Sequence, residues 1–236
     1  MNNAQTRIHP LRTRASGLGL VELMLALSLG LALIATLAPA WLHHANLQRH
    51  LLMQLRLTQD QRHAQSLMTR ELRQSGYWTE AHQALWPQGA GPGQTNPYSG
   101  VWVATNARSL TYAHAIGTEN QHCGFRMHPT ARTLDLRLSA NQLEPGDADQ
   151  WQALTDPAQV RLEQFEAGVQ SLSASLLDAC LHPTCPTGAD DCPPRWIGTR
   201  VNVTTRFAAV KDSTLQREGA LSVATRNGQV AGRCPN

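Results

Sequence analysis

Charge is scarce in these 236 residues: Asp, Glu, Lys and Arg together make up 16%, against about a quarter in an average soluble domain. The formal net charge of +3 is too small an excess to mark a nucleic-acid binder. Signatures of catalysis are missing as well. There is no G-x-S-x-G, P-loop, H-E-x-x-H or Rossmann glycine fingerprint, so the chain is read as a non-enzyme with no cofactor and no small-molecule substrate. Its length suits one domain of roughly 100–200 residues plus an extra segment, with little room for a second full domain.

Acid is absent from the start of the chain. Residues 1–17 hold Arg7, Arg12 and Arg14 and no Asp or Glu, so residues 18–236 balance 17 basic against 17 acidic residues. Next comes LGLVELMLALSLGLALIATLAPAWL, residues 18–42, in which Glu22 is the only charged residue. At about 1.5 Å per helical residue, this run is long enough to cross a hydrocarbon core of roughly 30 Å. A secretory signal peptide cut at Ala38-Pro39-Ala40 would need an unusually long leader with Glu22 inside its apolar region. A generic signal anchor explains the arginines through the positive-inside rule but leaves Glu22 without a role.

Ser16-Gly17-Leu18-Gly19-Leu20-Val21-Glu22-Leu23 resembles the class III signal of type IV prepilins and pseudopilins, and this resemblance accounts for the whole pattern. It implies that a prepilin peptidase cuts between Gly17 and Leu18 and that Leu18 becomes the N-methylated first residue. Leu18 stands where Phe is usual, and Gly19 where Thr or Ser is common. A residue without Cβ at Gly17 permits the close backbone approach that cleavage next to a bilayer requires. A carboxylate in a membrane helix costs on the order of 3 kcal/mol. The resemblance gives Glu22 a partner, the new N-terminal amine of a neighbouring subunit, and through it the axial register of docking. An interfacial Glu snorkelling to the headgroups is the plainer reading.

Beyond Trp41, Leu47, Leu51 and Leu55 recur at helical spacing, and Ala64, Leu67, Met68 and Leu72 form a second stripe. Gly76 is the expected stop, with Arg70 and Arg73 near the negative end of the helix dipole. A helix from residue 18 to about 75 would be roughly 85 Å long, with a kink expected at Pro39, which removes a backbone donor. Residues 67–77 (LMTRELRQSGY) resemble the end of this helix in PilW-type minor pilins and J-type pseudopilins. Gly168–Leu172 and Ala220–Asn227 resemble PilW-type strand signatures.

The resemblance implies an α+β type IV pilin fold. Its expected parts are a leader (1–17), the transmembrane part of the helix (18–42), an extramembrane amphipathic part (43–76) and a β-rich head (77–236) with a Cys/Pro-rich loop at 178–195. Strands are expected at 101–103, 110–115, 132–138, 160–165, 169–177, 198–210 and 220–225, in an antiparallel sheet with one face on the helix. Leu134, Leu136 and Leu138 should share a face, as should Val201, Val203 and Thr205. Residues 86–100 read as a long loop.

All five cysteines, Cys123, Cys180, Cys185, Cys192 and Cys234, follow the apolar run, and an extracytoplasmic compartment favours disulfides. Five cysteines allow fifteen two-bridge arrangements. Favoured are Cys180 or Cys185 with Cys192, and Cys123 with Cys234, leaving one thiol over. Zinc on Cys180, His182, Cys185 and Cys192 is the sharper alternative, but no C-x₂-C knuckle supports it, and Asp190-Asp191 alone makes no calcium cage. No metal is therefore expected. Residues 141–194 sum to −8 and residues 195–236 to +5. These are two solvated surfaces or complementary docking faces of successive subunits.

The family resemblance implies a minor pilin that helps to prime type IV pilus assembly (twitching motility, adhesion, DNA uptake). Its implied partners are the prepilin peptidase, other minor pilins, the major pilin and the inner-membrane assembly platform. The leader would lie in the cytoplasm and the head in the periplasm before entry into the fibre. A J-type pseudopilin at the tip of a type II secretion pseudopilus is the nearest alternative. A pilus-tip adhesin or DNA-binding subunit is a reading of another class, and nucleic acid as a partner stays open.

Overall fold

The computed structural model describes residues 19–81, 95–116, 119–226 and 228–235. The chain divides into two compact units, residues 1–51 and 52–236. A single helix, α1 (Leu20–Gln74), contributes to both and contains Pro39 without interruption.

In the first unit α1 is apolar on every side from Leu20 to Leu42 apart from Glu22, and polar side chains begin at His43. Leu23, Leu27, Leu31 and Leu37 are exposed, as are Trp41 and Leu47. Its few hydroxyls are turned inward: Ser28 donates to the Leu25 carbonyl and Thr36 to the Leu33 carbonyl, each at 2.9 Å. The surface offered outward over residues 20–42 is therefore almost purely hydrocarbon.

In the second unit the helix is one-sided. Leu57, Gln61, Ala64, Met68 and Leu72 are buried, at the steps of three and four residues that line one helix face. The expected stripe of Leu47, Leu51 and Leu55 is not part of this packing; these leucines are 49%, 49% and 59% exposed. The buried stripe begins at Leu57. α1 ends at Gln74, and Gly76 sits at φ 77°, the left-handed conformation in which glycine avoids a Cβ clash.

The head has two antiparallel sheets rather than one. The first is a meander, β1 (Val101–Val103), β2 (Ser109–Ile116), β3 (Glu119–Met127), β4 (Leu134–Ser139) and β5 (Gln150–Ala153), in the order β1-β2-β3-β4-β5. The second has β6 (Val160–Ser175), β7 (Arg195–Ala209) and β8 (Asp212–Ala224) in that order. β9 (Gln229–Ala231) pairs with the first residues of β7. The expected pair of strands at 160–165 and 169–177 is one strand, β6. One core joins Leu57, Met68 and Leu72 of the helix to Leu110, Tyr112, Phe125 and Leu134 of the first sheet and Leu162, Phe165, Val201 and Phe207 of the second.

Val201, Val203 and Thr205 do share the buried face. Leu138 leaves its expected partners and is half exposed, because the β4–β5 register shifts between Arg137 and Ser139 and turns the strand end outward. The part of the expected 86–100 loop within the described residues, 95–100, has no strand or helix.

Candidate assembly site and head surfaces

Gly17 and Leu18, the expected cleavage and methylation positions, lie outside the described residues. Glu22 lies in the first turn of α1, where the helix dipole favours negative charge. It is exposed, with no ion-pair partner among the described residues. Around it is the apolar surface already described, with a window of mean hydropathy 2.3, none of it buried. The arrangement is a lone carboxylate on a hydrocarbon rod, long and apolar enough to cross a membrane.

The other end of α1 is fastened to the first sheet. The Gly76 N–H donates to the Ala113 carbonyl (2.9 Å) and the Ala115 N–H to the Tyr77 carbonyl (2.8 Å), so Gly76-Tyr77 runs beside β2. The Asn96 side chain donates to the Gly76 carbonyl at 2.8 Å. Under this junction the Tyr112 hydroxyl donates to Glu71 at 3.3 Å. Burial and the neighbouring Cys123 and Glu71 push the Tyr112 hydroxyl well above its usual range. Burial pushes the Cys123 thiol up to about 11. Burial also lowers His114 and His122 below the usual histidine value.

The cysteine pairing agrees with one favoured option, Cys185 with Cys192, and corrects the expected Cys123–Cys234 bridge. Cys180 bonds Cys234 and Cys185 bonds Cys192, while Cys123 is a buried free thiol. Cys123 is held on the core side of β3, directly across from Tyr112, and so cannot meet Cys234. Both bridges secure the irregular β6–β7 connection, residues 176–194. Arg233 adds an ion pair to Asp191 and a backbone bond to the Asp191 carbonyl at 2.8 Å. Three of the four residues weighed as zinc ligands are thus spent in disulfides.

The opposing charge runs engage each other through that Asp191–Arg233 pair. Arg206 pairs instead with Glu218 inside its own run, and Asp149 and Glu163 pair with Arg137 and Arg132 outside both.

Sequence reasoning missed the polar cluster on the outer face of the first sheet. Arg137 is fully buried and pairs with Asp149 at 2.7 Å. It also donates to the Gln142, Leu143 and Glu144 carbonyls at 2.9–3.1 Å. Arg126 pairs with buried Asp135 and lies 4.1 Å from the Trp151 ring centre. Its only sequence signal is that β4 alternates Asp135 and Arg137 with leucines, a pattern that by itself reads as a solvent face.

A family described as prepilin peptidase-dependent protein B (PpdB) matches residues 50–225. Neither a curated protein nor a solved structure matches the chain. The matched region covers the lower helix and nearly all of the head, and the apolar helix that precedes it fits a membrane-anchored pilin-like protein. The chain therefore belongs to the prepilin peptidase-dependent protein B family.

Proposed function

We propose that the chain is a PilW-type minor pilin that primes type IV pilus assembly as a structural subunit and not as an enzyme. Prepilin peptidase cuts between Gly17 and Leu18, and Leu18 is N-methylated. The apolar half of α1 holds the subunit in the inner membrane, with the arginine leader cytoplasmic and the head periplasmic. Glu22 then pairs with the N-terminal amine of a neighbouring subunit, and the protein joins other minor pilins and the major pilin at the inner-membrane assembly platform.

The observation that carries this reading is the exposed apolar surface of α1 with Glu22 as its one charge, on a chain whose head belongs to a prepilin peptidase-dependent family. A carboxylate within a membrane is expected to have a partner, and the described residues supply none to Glu22. Two disulfides support an oxidising, extracytoplasmic location for the head.

The test is a deletion strain complemented with wild type or Glu22→Ala. Wild type should restore twitching, with exoprotein secretion unaffected throughout, and the mature protein should start at N-methyl-Leu18. Glu22→Ala should insert and be cut but be missing from sheared fibres. Loss of secretion with normal twitching would assign the chain to a type II pseudopilus instead, and a mature start at Trp41 would end the reading.

A further inference from the structure

The two sequence runs that end α1 and β8 meet in the head. Between them lies an open groove of about 640 Å³, lined on the helix side by Gln65, Thr69, Arg70 and Arg73 and on the strand side by Leu221 and Arg226. Arg70 contacts Glu71, yet its side chain is 70% exposed. Arg73 and Arg226 are exposed and have no ion-pair partner among the described residues. Glu71, the carboxylate paired with Arg70, also accepts the Tyr112 hydroxyl. Three guanidinium groups thus face one opening with little to balance them.

The floor of the groove borders a sheet edge. Among the described residues β8 has one strand neighbour, β7. The Thr225 N–H reaches the Thr199 carbonyl (2.8 Å) and the Gly219 carbonyl faces Thr205 (3.4 Å), so odd-numbered residues bond inward to the sheet. Antiparallel geometry then turns the N–H and C=O of even-numbered residues outward. The Glu218 carbonyl shows this directly, accepting Gln61 Nε2 at 2.8 Å. Here α1 rides close over Gly219, where a Cβ would strike Gln61 and Gln65. Past that contact Ala220, Ser222 and Ala224 are exposed. Gly219–Ala224 holds no charge, no Pro and no other device that blocks strand addition.

We infer that this edge and groove take an extended acidic peptide segment of another subunit, which adds as a strand beside β8 and sets alternate carboxylates against Arg70, Arg73 and Arg226. A strand satisfies donors and acceptors along the edge together, whereas phosphates only accept and would leave the outward carbonyls unpaired. Among the described residues no aromatic side chain lines the groove to stack a base. The inference deepens the assembly reading and rests on it. A titration in solution needs neither fibre nor secretion system, so its failure is a separate result from failure of the Glu22 experiment.

The test titrates the full chain in detergent micelles against a fluorescein-labelled heptapeptide alternating Glu and Val. Controls are its Gln–Val counterpart, a peptide of the same composition with its Glu residues consecutive, and duplex DNA. The alternating acidic peptide should bind at least tenfold more tightly than both peptide controls. Arg226→Glu should weaken it at least tenfold with an unchanged melting temperature. Ser222→Pro, which removes only an outward N–H at an edge, should also weaken it. If Ser222→Pro does not fold, the triple reversal of Arg70, Arg73 and Arg226 to Glu should transfer binding to a Lys–Val peptide. Equal binding of the Gln–Val peptide, absence of peptide binding, DNA binding at the peptide's expense, or self-association through the groove would each overturn the inference.

Discussion

The two sheets of the head are held together by different means. In the β1–β5 meander, β2 is buried on both faces, with Thr111 and Tyr112 equally inaccessible. Its outer side is sealed by the 140–149 segment, which Arg137 grips through three carbonyls and Asp149. In the β6–β9 sheet the 16- and 15-residue strands outrun the core; β6 is buried at Val160, Leu162, Phe165 and Ala167 and then largely exposed from Gly168 onward. Burial cannot hold that far end, and two disulfides do. The central strands of the first sheet are closed off on both faces, by the core and by the 140–149 segment, while the second stays open along β8, the edge inferred to take a strand.

The largest effect should come from the closed sheet. Asp149→Ala removes the partner of a fully buried guanidinium, and stranding a buried charge costs about 3–5 kcal/mol. A thermal melt of the full chain in detergent should show the drop, and an unchanged melt would mean that the first sheet does not depend on its polar cluster. On the open sheet, Cys234→Ser frees a bridge spanning 54 residues and Cys185→Ser one spanning 7. Loop-closure entropy puts these at about 4 and about 2 kcal/mol. Denaturant titrations of the two variants test the ranking; a reversed order would break the view that the longer bridge anchors the sheet.

The helix face between the sheets comes next. Met68→Ala empties a fully buried position in the shared core and should cost about 3 kcal/mol. Leu29→Ala, on the exposed apolar half, should leave the head's melt unchanged. Equal losses from the two would erase the division of α1 into a packed half and an unpacked one.

The change from an unbroken apolar run to a one-sided stripe ending at Gly76 was legible in the sequence, but where packing begins was not, since Leu47, Leu51 and Leu55 have helical spacing yet stay exposed. The strands with strict alternation, such as Val201, Val203 and Thr205, were legible too. β3 was not, because Glu119–His122 are polar and Gly124 interrupts the run of Cys123, Phe125 and Met127. β5 and β9, at 4 and 3 residues, are too short to show a period. Arg137 and Asp149 were hidden for a different reason. Alternation tells which residues share a face, but not whether a distant loop covers that face. Disulfide pairing likewise depends on which strands meet, and so Cys123 was assigned to Cys234. Arg70 and Arg73 fall in one signature and Arg226 in another, yet only the packing of α1 along β8 brings them to one groove.

The smallest expected effect again separates the sheets, through pH. His114 lies on β2 and His122 on β3, and burial lowers both below the ordinary histidine value; Glu71 and a hydrogen bond with Gln121 oppose the shift at His114. A histidine lowered in the folded state binds its proton more readily when unfolded, so stability rises with pH wherever the unfolded chain holds the extra proton. Their contribution is therefore complete above the unfolded value of about 6.5 and is lost as pH falls through the lower folded values. The head should melt at a lower temperature at pH 5 than at pH 7.5, and His114→Gln should flatten that dependence. Hydrogen exchange should locate the loosening at Ala113 and Ala115, whose backbones hold the end of α1, before it reaches the β6–β7 ladder. Loosening that begins in the β6–β7 ladder would show that the second sheet, despite its open edges, is the part that answers to protons.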